Sequence, residues 1–232
     1  MKHFKLTTES MINVFGIKLF RLELTIDCKW GKSGDKGGWI ESENLSNGDS
    51  RVSGTAWVSG NAQVSGDAQV FGDARVFGDA RVFGDAQVSG DARVSGDARV
   101  FGDARVFGDA QVFGNAWVSG DAWVSGDARV SGNAQVSGDA QVFGDAQVFG
   151  DARVSGNAQV SGDAWDKSPL QIQGTRHFFN ICMKGKIRIG CKEDTFEGWK
   201  ETFEEIGKNQ NYTEQEIKEY EMYINLAISL YK

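Results

Sequence analysis

The fold of this chain is decided by residues 64–81, which read VSGDAQVFGDARVFGDAR and contain one six-residue unit three times. Each unit is a Val, a Ser or Phe, a Gly, in nearly every case an Asp or Asn, an Ala, and a variable residue that is only ever Gln, Arg or Trp. The Val recurs every six residues without a slip from Val52 to Val160, 19 times in all. Residues 48–50 fit the same frame, so we place the repeat at residues 46–165.

Each unit predicts a short strand followed by a corner. Along Ala, the variable residue, Val and Ser or Phe, side chains point alternately to opposite sides, so that Ala and Val share one face. The step from Gly to Asp or Asn predicts a turn, because these residue types tolerate the positive φ that a sharp corner requires.

Two architectures accommodate a chain of short strands and corners. An antiparallel meander would form one open sheet of about twenty strands, whereas twisted open sheets rarely exceed ~10 strands. A coil would instead close the Val and Ala faces into a dry interior and stack each turn about 4.7–4.9 Å from the next. We therefore predict the coil, a mainly β, three-sided parallel β-helix.

An aliphatic residue followed four positions later by a small residue, every six residues, resembles the hexapeptide-repeat left-handed β-helix family. The resemblance implies three units per triangular turn of 18 residues and a left-handed coil, although the general crossover rule favours the right hand. Twenty units then correspond to between six and seven coils, and ~4.8 Å per coil gives a prism about 30 Å long.

The segments outside the array are not repetitive and predict two end pieces. We interpret residues 1–45 as a small β-rich cap, in which residues 17–26, IKLFRLELTI, alternate as a strand does. The glycine-rich residues 31–42 predict a loop running into the first coil, with Trp39 and Ile40 as apolar plugs. Such caps are needed because an open coil end exposes unpaired strand edges.

Residues 166–232 predict a small α+β domain. Residues 177–183 and 186–189 flank a Lys-Gly turn and are typical of a β-hairpin. Two pairs with capping-box spacing each predict a helix start, Asp194 with Glu197 and Thr213 with Glu216. The second helix has one apolar face, made of Ile217, Tyr220, Ile224 and Ile228. This domain either only seals the last coil or acts as a recognition or oligomerisation module.

Three segments carry a second resemblance. The array stretch VSGNAQVSG at residues 58–66, the loop at residues 31–42 and IRIGCKEDTFEGW at residues 187–199 are similar to uncharacterised phage and prophage proteins with such arrays. The resemblance implies a phage or prophage protein acting in the host cytoplasm.

Many hexapeptide-repeat proteins are acyltransferases, a family that uses a coil histidine as general base because its pKa lies near neutrality. This chain has two histidines, His3 and His177, and both lie outside the repeat. A water-exposed corner Asp with a pKa near ~4 is a poor substitute. We therefore expect no enzyme activity and no catalytic residue, with an acyltransferase-like enzyme or a degenerate relative as the alternative.

Charge and cysteine content limit the partners. Residues 46–165 contain 15 Asp and 8 Arg, a charge of −7 that equals the net charge of the chain, so no nucleic-acid partner is expected. No apolar run approaches the ~18 residues of a membrane span, and the first ten residues lack the apolar core of a signal peptide. The unpaired spacing of Cys28, Cys182 and Cys191 predicts free thiols in a reducing cytoplasm.

The corner Asp residues form columns when the chain is sorted by 18. In one interpretation each side chain accepts backbone N–H bonds at its own corner, a role that tolerates the Asn found at four corners. In the other, a carboxylate ladder binds cations such as Ca²⁺. We favour the first, and expect neither a metal site nor a cofactor. One column contains Asp49, Asp67, Asp85, Asp103, Asp121 and Asp139.

Phe occupies the outward slot after Val in eight units. On two of the three sides Phe and Ser alternate strictly, so that rings recur about 9–10 Å apart, whereas the third side, with Phe83 and Phe101, breaks the rule. Either the rings lie flat and cover the sheet, or they form an apolar contact surface for a second copy or a host protein. We favour the contact surface, in a non-enzymatic binding or structural protein. Its candidate residues are Phe71, Phe77, Phe107, Phe113, Phe143 and Phe149.

Overall fold

The computed structural model describes residues 4–27, 31–42 and 50–231. His3, Cys28 and Asp49, on which sequence-based expectations were placed, lie outside these ranges. Within them the predicted parallel β-solenoid is confirmed. Three stacked sheets wind around a common interior, and an antiparallel four-stranded sheet and two helices follow.

Each face of the solenoid is named by the number of strands in its sheet. The seven-stranded face contains β4 Arg51–Val52, β7 Gln69–Val70, β10 Gln87–Val88, β13 Arg105–Val106, β16 Trp123–Val124, β19 Gln141–Phe143 and β22 Gln159–Ser161. The six-stranded face contains β6 Gln63–Val64, β9 Arg81–Val82, β12 Arg99–Val100, β15 Trp117–Val118, β18 Gln135–Val136 and β21 Arg153–Val154. The ten-stranded face contains β1 Phe4–Ile12, β2 Lys18–Leu24, β3 Lys36–Ile40, β5 Trp57–Val58, β8 Arg75–Val76, β11 Arg93–Val94, β14 Gln111–Val112, β17 Arg129–Val130, β20 Gln147–Val148 and β23 Ala164–Trp165.

Register within each face follows the predicted 18-residue turn. Val88, for example, pairs in parallel with Val70 in one neighbouring coil and with Val106 in the other. The amides of the variable residue and of the Ser or Phe after Val donate to carbonyls one coil later, as Arg93 does to Ala110 and Ser95 to Val112, both at 2.9 Å. The hand of the coil, which only the family resemblance implies, stays a prediction.

The interior is the predicted column of Val and Ala. From Ala56 to Val160 every Val and Ala of the repeat is fully buried. Burying one Val contributes about 1.5–3 kcal/mol, so identical layers add similar increments of stability along the stack.

The backbone φ angles at the corners differ in one respect from the sequence-based prediction. Each array Gly from Gly54 to Gly162 has φ between +58° and +73°. Within the described chain Asn211 is the one non-glycine residue with positive φ, so the described corner Asp and Asn do not share that role. A Cβ on Gly90 would also lie 3.0 Å from the backbone N and O of Gly108 in the next coil. Glycine is therefore required both for the turn and for the close stacking of corners.

The N-terminal end piece extends the ten-stranded face. β2 pairs antiparallel with both β1 and β3, and β3 then pairs in parallel with β5, placing Ile40 beside Val58. The predicted strand at residues 17–26 is confirmed as β2. The predicted loop at residues 31–42 is wrong for its second half, because Lys36–Ile40 is a strand whose amides continue the ladder onto the first coil.

The C-terminal end piece contains β24 Gln171–Gln173, β25 Phe178–Met183, β26 Lys186–Ile189 and β27 Lys192–Thr195, followed by α1 Phe196–Asn209 and α2 Glu214–Tyr231. The hairpin and both helices are confirmed, with Tyr220 and Ile224 buried on α2. Thr195, not the predicted Asp194, is the N-cap of α1, because its hydroxyl accepts the amide of Gly198 at 3.0 Å. The second capping box is confirmed by reciprocal bonds between Thr213 and Glu216.

Candidate contact surface

The six candidate Phe residues form two outward columns on different faces of the solenoid. Phe71, Phe107 and Phe143 follow strands of the seven-stranded face; Phe77, Phe113 and Phe149 follow strands of the ten-stranded face. The structure therefore groups them in threes and does not bring all six together.

The two columns differ in exposure. Phe113 and Phe149 on the ten-stranded face expose 38% and 37% of their surface, whereas the three rings of the seven-stranded face are half-buried. Phe113 and Phe149 are therefore somewhat more exposed than the Phe rings of the seven-stranded face, on which Trp123 exposes 40% of its surface.

On the seven-stranded face, the variable residue of the following coil covers a ring. Trp123 meets Phe107 edge to face, with ring centroids 6.1 Å apart. The guanidinium of Arg105 lies 5.4 Å from the centroid of the Trp123 ring. Such aromatic and cation–π contacts give a Phe ring partners within its own chain. On this face they favour the interpretation that the rings cover the sheet.

Ring stacking on the six-stranded face accounts for the broken alternation of Phe and Ser on that side. Phe83 and Phe101 follow strands in adjacent coils and stack with centroids 5.0 Å apart and an interplanar angle of 2°. Trp117 then closes the cluster at 6.1 Å from Phe101, and Arg99 lies 5.1 Å from the Trp117 centroid. Phe83 and Phe101 cover each other, whereas Trp117 exposes 39% of its surface.

A further aromatic residue that sequence reasoning missed joins the ten-stranded face. Phe15, at the β1–β2 turn, lies 5.2 Å from Phe77 and 5.9 Å from Trp57, measured between ring centroids. Phe15 exposes 58% of its surface, and its neighbours Val14 and Ile12 expose 74% and 71%. We name Ile12, Val14 and Phe15 the apolar tip.

The turn that carries the apolar tip is held by hydrogen bonds. The carboxamide oxygen of Asn13 accepts the amides of Phe15 at 2.9 Å and Ile17 at 3.0 Å, and the backbone amide of Asn13 donates to Ile17 at 2.9 Å. An Asn followed three residues later by Gly is a sequence signal for such a turn. No sequence signal places it beside Phe77, because that contact joins residues 62 positions apart.

The corner columns show side chains in contact along the solenoid axis. The carboxamide of Asn61 donates to Asp79 at 3.1 Å, and that of Asn133 donates to Asp151 at 3.0 Å. The backbone amide of Asp73 donates to the carbonyl of Gly90 in the next coil. The described ranges contain no cluster of three or more His, Cys, Asp or Glu arranged to hold a metal ion.

His177, the histidine of the alternative acyltransferase hypothesis, lies in the C-terminal end piece. Its ring packs over Gly190 and lies 6.0 Å from the ring of Tyr212. It therefore lies in a different part of the chain from the solenoid faces, where the acyltransferase family places its base.

These features define the chain as a β-solenoid repeat protein with an aromatic exterior. A family model described as the YdcK beta solenoid repeat matches it at residues 68–84, 74–90, 86–100, 98–112, 110–126, 122–138 and 146–162. No curated protein matches the chain. In the described part of the molecule, no helix combines the length and apolarity needed to cross a membrane.

Proposed function

We propose that this chain is a non-enzymatic binding or structural protein of a phage or prophage that uses the ten-stranded face as its contact surface. The partner is a second copy of the chain or a host protein, which the solenoid would sequester or inhibit. The observation that carries this proposal is the exposed apolar row formed by the apolar tip, Phe113 and Phe149.

The row is suited to binding because its positions are preorganised. Every strand beneath it is held by the ladder of amide bonds to the next coil, and the apolar tip is held by Asn13. A rigid surface loses little conformational entropy on association, so more of the energy of apolar burial stabilises the complex. Exposed apolar rows on an otherwise polar surface are typical of interaction sites.

Charge also restricts the partner. The repeat carries a net charge of −7 over residues 46–165, with exposed corner Asp residues on either side of each face. A host partner is therefore expected to surround an apolar centre with basic residues, whereas self-association would be strengthened by added salt, which screens repulsion between acidic edges.

The test compares two matched double variants by multi-angle light scattering and by pull-down from host lysate. Phe113→Ser with Phe149→Ser alters the ten-stranded face, and Phe71→Ser with Phe143→Ser alters the seven-stranded face by the same chemistry. We expect the first pair to abolish assembly or partner capture and the second to preserve it. A wild-type protein that is monomeric and captures nothing, or equal behaviour of both pairs, would contradict the proposal.

A further inference from the structure

The C-terminal end piece contains an apolar cavity of about 180 Å³. It lies between α1, α2 and the end of β26, with walls that include Trp199, Phe203, Tyr212 and Tyr220. The cavity is partly open to solvent, since Cys191, Lys192 and Gln210 among its lining residues are exposed. A concave apolar space with aromatic walls is typical of a small-molecule site.

Polar groups near the cavity are already engaged elsewhere. The indole nitrogen of Trp199 donates to the carbonyl of Ile187 at 2.8 Å, and the hydroxyl of Tyr220 donates to the carbonyl of His177 at 2.9 Å. Burial raises the pKa of Tyr212 above its usual value, which keeps its hydroxyl neutral. Lys192 is the one permanently charged side chain among the described residues that line the cavity.

The walls are braced from outside, which prevents the cavity from collapsing. Arg176 donates to the carbonyl of Asn211 at 2.9 Å and lies 4.7 Å from the centroid of the Tyr212 ring. Its guanidinium also lies 3.8 Å from Glu216 on α2, and the amide of Tyr212 donates to Gly207 at 2.9 Å. The α1–α2 turn is thereby fixed against the β24–β25 turn.

We propose that this cavity binds a small, flat, uncharged aromatic molecule of the size of indole. An engineered apolar cavity of ~150 Å³ is large enough for benzene, so this one admits a ring of one or two fused cycles. Aromatic walls favour such a ring over an aliphatic chain, because rings pair edge to face or offset with other rings. This site is separate from the contact surface on the solenoid.

Cys191 provides a built-in reporter of occupancy. It lines the cavity and its side chain is exposed, whereas Cys182 is buried. An alkylating reagent should therefore react with Cys191 in the folded protein, and a bound ring should shield it. Peptide-resolved mass spectrometry separates this thiol from the others.

The experiment uses the full chain with three probes of similar size, namely indole, phenol and the non-aromatic cyclohexanol. We expect saturable 1:1 binding of indole in ligand-observed NMR, at least tenfold weaker binding of cyclohexanol, and a several-fold slower alkylation of Cys191 at saturating indole. Absence of saturable binding by both aromatic probes, or binding without protection of Cys191, would overturn the proposal.

Two variants of opposite effect locate the site. Ile206→Trp fills the cavity and should weaken indole binding more than tenfold, whereas Ile217→Ala enlarges it and should bind 2-naphthol several-fold more tightly than the wild-type protein does. Phe143→Ser on the solenoid is the control and should bind indole as the wild type does. Unchanged indole affinity in folded Ile206→Trp, or no gain for 2-naphthol in folded Ile217→Ala, would rule the cavity out, so one stable variant is enough for the test.

Discussion

Single residues in this protein are constrained by the coil above and below them as well as by their own strand. A corner Gly must adopt positive φ and must also leave room for the Gly of the next coil, since a Cβ at Gly132 would lie 2.9 Å from the amide nitrogen of Gly150. An inward Val packs against its counterparts in both neighbouring coils. Substitutions at these slots therefore disturb three layers at once.

Val106→Asp tests the interior at the residue scale. Val106 is fully buried in the middle of the array, so the variant would bury a carboxylate without a partner at a cost of several kcal/mol. We expect loss of cooperative unfolding by circular dichroism. The control is Gln147→Asp on the outward side of β20, which should melt close to the wild type. A soluble Val106→Asp protein with unchanged melting would refute the dry interior.

At the scale of elements, the two end pieces provide hydrogen-bond partners for backbone groups at the first and last coils of the solenoid. Because the amides of the variable residue and of the Ser or Phe after Val donate to the following coil, the last coil has such amides with no coil beyond it. The C-terminal end piece supplies acceptors: Ser168 accepts the amide of Arg153 at 2.9 Å, and the side chain of Gln171 accepts that of Ser155 at 2.7 Å. At the first coil, the backbone amide of Trp39 donates to the carbonyl of Ala56 at 2.9 Å.

Gln171→Ala tests whether the C-terminal end piece supplies the hydrogen-bond acceptors that the last coil needs. Loss of the side chain should free the Ser155 amide and the Arg153 carbonyl, to which the Gln171 carboxamide donates at 2.8 Å, and should cost about 1 kcal/mol for each bond lost. We expect faster hydrogen exchange at Ser155 while amides in the middle of the array stay protected. Gln173→Ala on the same strand, whose side chain bonds only to Gly174 in the described contacts, should leave Ser155 unchanged. Equal exchange in both variants would show that the cap acts through packing alone.

The whole molecule is a prism in which the ten-stranded side carries the apolar tip beside its array rings. Phe rings on the six-stranded and seven-stranded faces contact Trp from adjacent coils, and those Trp rings, Trp117 and Trp123, stay exposed. The ten-stranded face has exposed Phe rings and, in addition, the apolar tip. A repeat that looks uniform in sequence is thus asymmetric around its axis. The proposed contact surface depends on that asymmetry.

At the scale of the whole molecule, we predict that the protein catalyses no acyl transfer. Incubation with labelled acetyl-CoA and a panel of amine and hydroxyl acceptors should give no acylated product, because no histidine occurs in residues 46–165. An active hexapeptide-repeat acyltransferase, assayed in parallel, controls for the reagents. Transfer that disappears in His177→Ala would instead support the enzyme hypothesis and assign it to the C-terminal end piece.

The sequence by itself determined the features that repeat. The period of six, the inward Val and Ala, the corner glycines and the stacking by 18 are local patterns, and each coil contacts only similar neighbours, so one layer predicts the next. The hairpin and both helices were also predictable, since their turn and capping signals are local.

Tertiary structure alone decided what depends on distant or competing contacts. Thr195 replaced Asp194 as the cap of α1 because both residues can accept an amide and the path of β27 chooses between them. Lys36–Ile40 became a strand because the first coil offered an unpaired edge. The placement of Phe15 on Phe77, the unequal exposure of the Phe columns and the cavity beneath Tyr212 arise where non-repeating segments meet, and no local pattern encodes such meetings.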